Sequence, residues 1–106
     1  MASKKQAHDP GEELFESLLE QTVELGNKAA EADPEADLWD IADGLLYGAV
    51  QFWLYSRQPC PDRNCTDCAP IATAEARMAE LRLMLEQAAA ESDYLHSEND
   101  RNVGHA

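Results

Sequence analysis

The sequence predicts an all-α protein, arranged as an antiparallel three-helix bundle or helical hairpin that assembles into a dimeric bundle. Three segments repeat apolar residues at spacings of three and four, the period of an amphipathic helix. Proline-containing segments separate them, and no stretch alternates apolar and polar residues as a β-strand does. With 106 residues, of which 44% are hydrophobic, the chain has the size and composition of one folded domain.

The first helix is predicted over residues 10–31. Asp9 precedes Pro10, and this pair is typical of a helix start because the carboxylate caps free N–H groups and proline fits the first helical position. Apolar residues then follow helical spacing from Leu14 to Ala30. The single helical domain is predicted to span 9–96, with flexible tails at 1–8 and 97–106.

The second helix is predicted over 34–58. Asp33 and Pro34 repeat the start pattern, and Pro59 ends the helix. Its second half, residues 45–55, is apolar on almost every side and therefore needs neighbours on more than one side. We therefore expect this helix to be central and the protein to form a homodimer.

The third helix is predicted over 70–96 and carries the most regular apolar pattern. Its spacings alternate between four and three, as in a heptad repeat, which favours shallow-angle packing in a bundle. The residues of this stripe are Ala74, Met78, Leu81, Leu85, Ala88, Ser92 and Leu95.

Two glycines inside the second helix mark a candidate packing surface. Gly44 and Gly48 lie four residues apart, so another backbone can approach closely, either within one chain or across a dimer axis. The remaining residues predicted to contribute to helix packing or to the dimer are Phe52, Trp53, Met78, Leu81 and Leu85.

The charge of the chain limits its partners. Eight Lys and Arg residues against 21 Asp and Glu give a net charge of −13, which opposes direct binding to nucleic acid or to an anionic membrane. Twelve of the acidic residues lie between positions 9 and 43, where Lys28 is the only basic residue. The predicted docking face for a basic protein comprises Glu13, Glu16, Glu20, Glu24, Glu31, Glu35, Asp37, Asp40 and Asp43.

Such a face can steer a basic partner and, in one version, imitate a nucleic-acid backbone as an inhibitor. The alternative is that the acidity only keeps a small bundle soluble.

The loop predicted at 59–69 holds all three cysteines of the chain. Cys60, Cys65 and Cys68 are spaced C-x4-C-x2-C, and thiolates at such intervals bind zinc or iron–sulfur clusters. Three cysteines are one ligand short of a closed site. His8, His105, a water or a second chain could supply the fourth; His96 is disfavoured because the predicted third helix carries it far from the loop.

Three other interpretations of the cysteines remain open. Cys65 and Cys68 could act as a redox pair, although Asp62 and Asp67 oppose the thiolate form. A disulfide could close within the loop, or the cysteines could stay reduced with no role beyond packing. We expect no cofactor as the default and zinc or an iron–sulfur cluster as the alternative.

No catalytic residues are predicted. The chain has no phosphate-binding glycine loop and no nucleophile motif, so we expect a non-enzymatic protein. The first residues lack the apolar run of a secretory signal and no segment has the length of a membrane span, which favours the cytoplasm. The sequence thus predicts an acidic interaction or regulatory protein; the alternative is a small metal-binding or thiol-redox module.

Overall fold

A computed structural model describes residues 9–100, and within that range the chain forms helices and no β-strand. The elements are α1 (Pro10–Ala32), α2 (Leu38–Ser56), a short 3-10 helix (Ala69–Ile71) and α3 (Ala74–Ala90). The all-α prediction is confirmed for these residues, whereas the bundle arrangement and the dimer stay predictions. The tail predicted at 1–8, the last part of the tail at 97–106, and both His8 and His105 lie outside the described residues.

Helix α1 begins and ends within one residue of its predicted bounds. The Asp9 carboxylate accepts a hydrogen bond from the Gly11 N–H at 2.9 Å, and Pro10 occupies the first helical position. At the other end, the Asp33 N–H donates to the Ala29 carbonyl at 3.3 Å. The start pattern of the sequence therefore acts here as predicted.

Helix α2 begins four residues later than predicted, because a turn occupies residues 33–37. The Asp33 carboxylate accepts from the Glu35 N–H at 3.2 Å, and the Ala36 N–H donates to the Asp33 carbonyl at 3.0 Å. Asp37 is the residue that caps the helix, since its carboxylate accepts from the Trp39 N–H at 2.9 Å. Aspartate stabilises both turns and helix starts, so the Asp33-Pro34 pair led to a predicted start of α2 that is too early. The helix ends at Ser56, two residues before the predicted end.

Helix α3 is shorter at both ends than the predicted range of 70–96. Pro70 lies in the 3-10 helix, and the Thr73 hydroxyl caps α3 by accepting from the Ala76 N–H at 3.0 Å. After Ala90 the chain turns, and the Ser92 hydroxyl accepts from the Tyr94 N–H at 3.1 Å. Ser92 and Leu95, predicted as part of the heptad stripe, therefore lie beyond the helix.

The chain divides into two compact units between Phe52 and Trp53, within α2. In the first unit, α1 folds back on α2: a Cβ built at Gly26 would lie 2.9 Å from Leu45 Cδ1 and 4.0 Å from Ile41 Cγ2. In the second unit, α3 packs against the 3-10 helix, and the Arg77 guanidinium donates to the Ile71 carbonyl at 3.0 Å. The prediction of one domain over 9–96 stays a prediction.

The predicted packing residues are covered to very different degrees within this chain. Leu81, at 6% exposure, is the single buried residue among those described, and Trp53 is half-buried. Phe52 is 70% exposed, and Met78 and Leu85 are also exposed. A chain of this size normally buries several apolar side chains completely, so much of the predicted core is left uncovered here.

Among residues 9–100, the two glycines predicted as a packing surface face open space, and their role in packing stays a prediction. No atom lies within 4 Å of a Cβ built at Gly44 or Gly48. The close approach occurs instead at Gly26, where only a hydrogen side chain fits without displacing Leu45. The alternative of a dimer contact at Gly44 and Gly48 stays a prediction.

Candidate metal centre

Two turns fold the segment between α2 and the 3-10 helix so that its cysteines approach one another. Asp62 organises the first turn: its carboxylate accepts from the Asn64 N–H at 2.9 Å and its carbonyl accepts from the Cys65 N–H at 3.2 Å. Such a turn reverses the chain direction within four residues. It brings Cys65 back toward Cys60.

The second turn connects Cys65 to the 3-10 helix. The Ala69 N–H donates to the Thr66 carbonyl at 3.3 Å, and the Ile71 N–H donates to the Cys68 carbonyl at 3.0 Å. Cys68 is thus the residue immediately before the 3-10 helix. The C-x2-C spacing places its sulfur on the same side of the loop as the sulfur of Cys65.

The three sulfurs converge. The Sγ atoms of Cys60, Cys65 and Cys68 all lie within 4.8 Å of one another, and those of Cys60 and Cys68 are 3.6 Å apart. A tetrahedral ion with Zn–S bonds of about 2.3 Å holds its sulfur ligands roughly 3.8 Å apart. The separations therefore fit shared coordination of one ion after small side-chain adjustments.

Backbone N–H groups point at two of these sulfurs. The Cys60 N–H donates to Cys68 Sγ at 3.4 Å. The backbone N–H groups of Cys68 and Asp67 act to lower the pKa of the Cys65 thiol. Hydrogen bonds of this kind stabilise negative charge on sulfur, as they do in metal-thiolate sites.

The groups around Cys65 and Cys68 shift the pKa values of these two thiols in opposite directions. The backbone N–H of Cys68, together with the side chains of Cys68 and Cys60, lowers the pKa of Cys65. At Cys68, the backbone N–H of Cys60 acts to lower the pKa, but the side chains of Cys65 and Cys60 outweigh it and the pKa is raised. Of these two thiols, Cys65 is therefore the one that the loop better prepares as a thiolate.

The surroundings of the cluster supply no fourth protein ligand among residues 9–100. The three cysteines alone form the group of potential ligands in this loop. The imidazole of His96 is highly exposed, with its Nδ1 3.5 Å from the Asp100 carboxylate, and it is not part of the group. Of the histidines considered as a fourth ligand, His8 and His105 lie outside the described residues.

The geometry also bears on the other interpretations of the cysteines. All three are free thiols, and a sulfur–sulfur separation of 3.6 Å is well beyond the length of a disulfide bond. Cys60 is exposed, whereas Cys65 and Cys68 are half-buried. The described chain lacks the strand that precedes the cysteine pair in thioredoxin-like redox motifs.

The predicted docking face lies on the surface. Its nine residues are all exposed, on α1, on the turn at 33–37 and on the start of α2. Asp37 also has the structural role of capping α2. A partner molecule can therefore reach all nine side chains from solvent.

The sequence analysis missed two features that shape the candidate centre: the turn formed by Asp62 and the backbone N–H groups near the sulfurs. Asp62 was interpreted as a charge that disfavours a thiolate, whereas its carboxylate accepts from Asn64 and forms the turn. The second contribution, from the backbone N–H groups of Asp67 and Cys68, could not be predicted because residue type does not reveal where a backbone N–H points. The Pro61-Asp62-x-Asn64 segment, with residues typical of turns, could have indicated the first contribution.

Comparison of the chain with protein families, with curated proteins and with solved structures finds no match. Among the described helices, none combines the length and the apolar character that crossing a bilayer requires.

Proposed function

We propose that this chain is a small, non-enzymatic helical protein that binds one zinc ion through Cys60, Cys65 and Cys68. The observation that supports the proposal is the convergence of three free sulfurs within 4.8 Å, assisted by backbone N–H donors. Zinc accepts thiolate ligands in tetrahedral geometry, and a water or a group from another molecule completes the coordination. The ion would then hold the loop between α2 and α3 in one conformation.

Zinc is favoured over an iron–sulfur cluster by the number of ligands. Clusters of two or four irons are usually held by four protein ligands, most often cysteines, and this sequence has three cysteines. A lone divalent ion tolerates a water in the fourth position. A reducing compartment such as the cytoplasm keeps the sulfurs as thiols, and we place the protein there as part of the same proposal.

Elemental analysis and zinc titration test this function. The full chain is purified without oxygen, treated with a chelator and titrated with zinc against a competing chromophoric chelator. We expect one zinc per chain and no visible absorption of an iron–sulfur cluster. A protein that binds no zinc at equimolar concentrations, with its thiols shown to be free, contradicts the proposal.

Single substitutions assign the ligands. Cys60→Ser, Cys65→Ser and Cys68→Ser should each weaken zinc binding at least about 10-fold, because the loss of a ligand costs no less than the loss of its supporting groups. Thr66→Ala is the matched control, since Thr66 lies between the cysteines and its carbonyl, which accepts from the Ala69 N–H, is kept in the variant. Equal losses in the control and in the cysteine variants would indicate a general defect of the loop.

We also propose a second function, docking of a basic protein on the acidic face, which the exposure of all nine carboxylates favours. Capture of partners at low and at high salt, with Glu16→Lys/Glu20→Lys as the variant, tests it. Glu75→Lys/Glu86→Lys on α3 makes the same change of charge elsewhere. Capture that is lost at high salt and only in the α1 variant supports docking. Capture that is indifferent to salt, or equally affected by both variants, contradicts it.

A further inference from the structure

Helix α1 carries an apolar face that its own unit covers only near one point. The contact with α2 lies at Gly26, opposite Leu45. The large apolar side chains elsewhere on the face are 52–64% exposed: Leu14, Phe15, Leu18, Leu19, Val23 and Leu25. We call these six residues the α1 apolar face.

Most acidic residues of α1 lie on the other side of the helix; the exception is Glu12 in the first turn, which falls between Leu19 and Val23 on the apolar half. At 100° per residue, the α1 apolar face and the small residues Gly26 and Ala30 occupy about half of the circumference. Glu13, Glu16 and Glu20 project from the opposite half. A molecule that packs on the apolar half therefore does not have to bury these carboxylates.

The exposed area is large enough for a specific interface. Six large apolar side chains that are more than half exposed present on the order of 600 Å² per chain. Two such faces bury on the order of 1,200 Å² in total, the lower limit for specific protein–protein interfaces. A single amphipathic helix with this much exposed apolar surface is expected to find a partner.

We propose that two copies of this chain associate through the α1 apolar face. A second copy offers an identical apolar half-cylinder and can pair across a two-fold axis, which is the usual symmetry of homodimers. Two paired hairpins also give the four-helix arrangement in which such faces are commonly buried. A basic partner, in contrast, is attracted to the acidic half of α1 and does not need the apolar half.

The sign of the salt dependence separates the dimer from docking of a basic partner. Each chain carries a net charge of −13, so two copies repel each other and salt should strengthen the dimer by screening that repulsion. Salt weakens the binding of a basic partner for the same reason. The dimer is also independent of zinc, because no cysteine belongs to the α1 apolar face.

Sedimentation equilibrium of the full chain, with and without zinc and at several salt concentrations, tests the proposal. We expect the mass of two chains, with a dissociation constant that falls as salt rises. Leu18→Gln/Leu25→Gln should raise the dissociation constant at least 10-fold while preserving helix content, because glutamine favours helix about as well as leucine. Glu20→Gln/Glu24→Gln on the acidic half is the matched control and should leave the dimer intact or slightly tighter.

Three outcomes would overturn the proposal. They are a monomer at every protein and salt concentration, a dimer that the leucine variant leaves unchanged, and a dimer that the glutamate control dissociates as strongly. If the leucine variant unfolds, hydroxyl-radical footprinting of the unmodified chain replaces it: Phe15 and Leu18 should become protected as the dimer forms. Protection of these side chains in a monomer means that another part of the same chain covers them, which also contradicts the proposal.

Discussion

The two units of the chain reach order by different routes. The first, which ends at Phe52, contains the longest helix, the 23 residues of α1, and yet has no buried side chain among its described residues. The second contains a 17-residue helix and a 3-residue 3-10 helix, and it holds Leu81, the buried residue. Long, well-capped helices therefore do not by themselves produce a core.

Local bonding explains the contrast. In the first unit, the hydrogen bonds of the caps, the turn and the helices join residues close in sequence, and α1 approaches α2 at Gly26. In the second unit, turns bring sequence-distant groups together, as in the bond from the Cys60 N–H to the Cys68 sulfur. Tertiary burial depends on such turns, because they decide which apolar side chains can meet.

The addition of zinc should produce the largest difference between the two units, measured as the slowing of amide hydrogen exchange. At a free zinc concentration of 1,000 times the dissociation constant, binding stabilises the ordered loop by about 4 kcal/mol. The Cys65, Ala69 and Ile71 amides, which are hydrogen-bonded within the loop, should then exchange up to about 1,000-fold more slowly. Hydrogen–deuterium exchange measures this effect, with the amides of α1 as the internal control. Equal slowing in both units would contradict a local role of the ion.

Truncation of Leu81 should have the next largest effect. Leu81→Ala removes the buried side chain of the second unit and should lower the free energy of unfolding by about 2–4 kcal/mol. Leu83→Ala makes the same change of residue two positions along the same helix, where the side chain is exposed, and should cost less than about 1 kcal/mol. Urea denaturation compares the two. Similar losses would mean that Leu83 is also buried in solution.

The sequence analysis predicted close packing at Gly44, whereas the structure places a close approach at Gly26. Alanine should therefore be tolerated better at Gly44 than at Gly26. Gly44→Ala places a methyl group in open space and should stabilise α2 by up to about 1 kcal/mol. Gly26→Ala gains the same helix propensity but forces Leu45 to move, so its gain should be smaller or absent. Thermal denaturation of both variants makes the comparison. If Gly44→Ala instead destabilises the protein and weakens the dimer, Gly44 lies at an interface between chains.

The start of α1 and the helical glycines show which features the sequence could predict and which it could not. The period of the apolar residues and the Asp9-Pro10 pair sufficed for α1, because both act between residues close in sequence. The role of a helical glycine depends on which neighbouring helix faces it, and sequence spacing does not contain that information. Gly44 and Gly48 were therefore chosen over Gly26, where the close approach occurs.

The candidate metal centre was predictable in its ligands but not in its geometry. The spacing of the three cysteines identified Cys60, Cys65 and Cys68, and their sulfurs do converge. The turn at Asp62 and the backbone N–H donors that shape the cluster depend on dihedral angles, which residue types only bias.

Substitution of the aspartates at the start of α2 should have the smallest effect on stability. The relative losses test whether α2 begins at the observed or at the predicted residue. Asp37→Ala removes the acceptor of the Trp39 N–H and should cost about 1 kcal/mol of stability. Asp33→Ala removes a longer bond within the turn, at 3.2 Å, and should cost less. Asp37→Asn is the matched control because its side-chain oxygen still accepts, so it should retain most of the stability. Denaturant titration of the three variants checks the order, and a larger loss for Asp33→Ala would mean that α2 begins at Pro34 in solution.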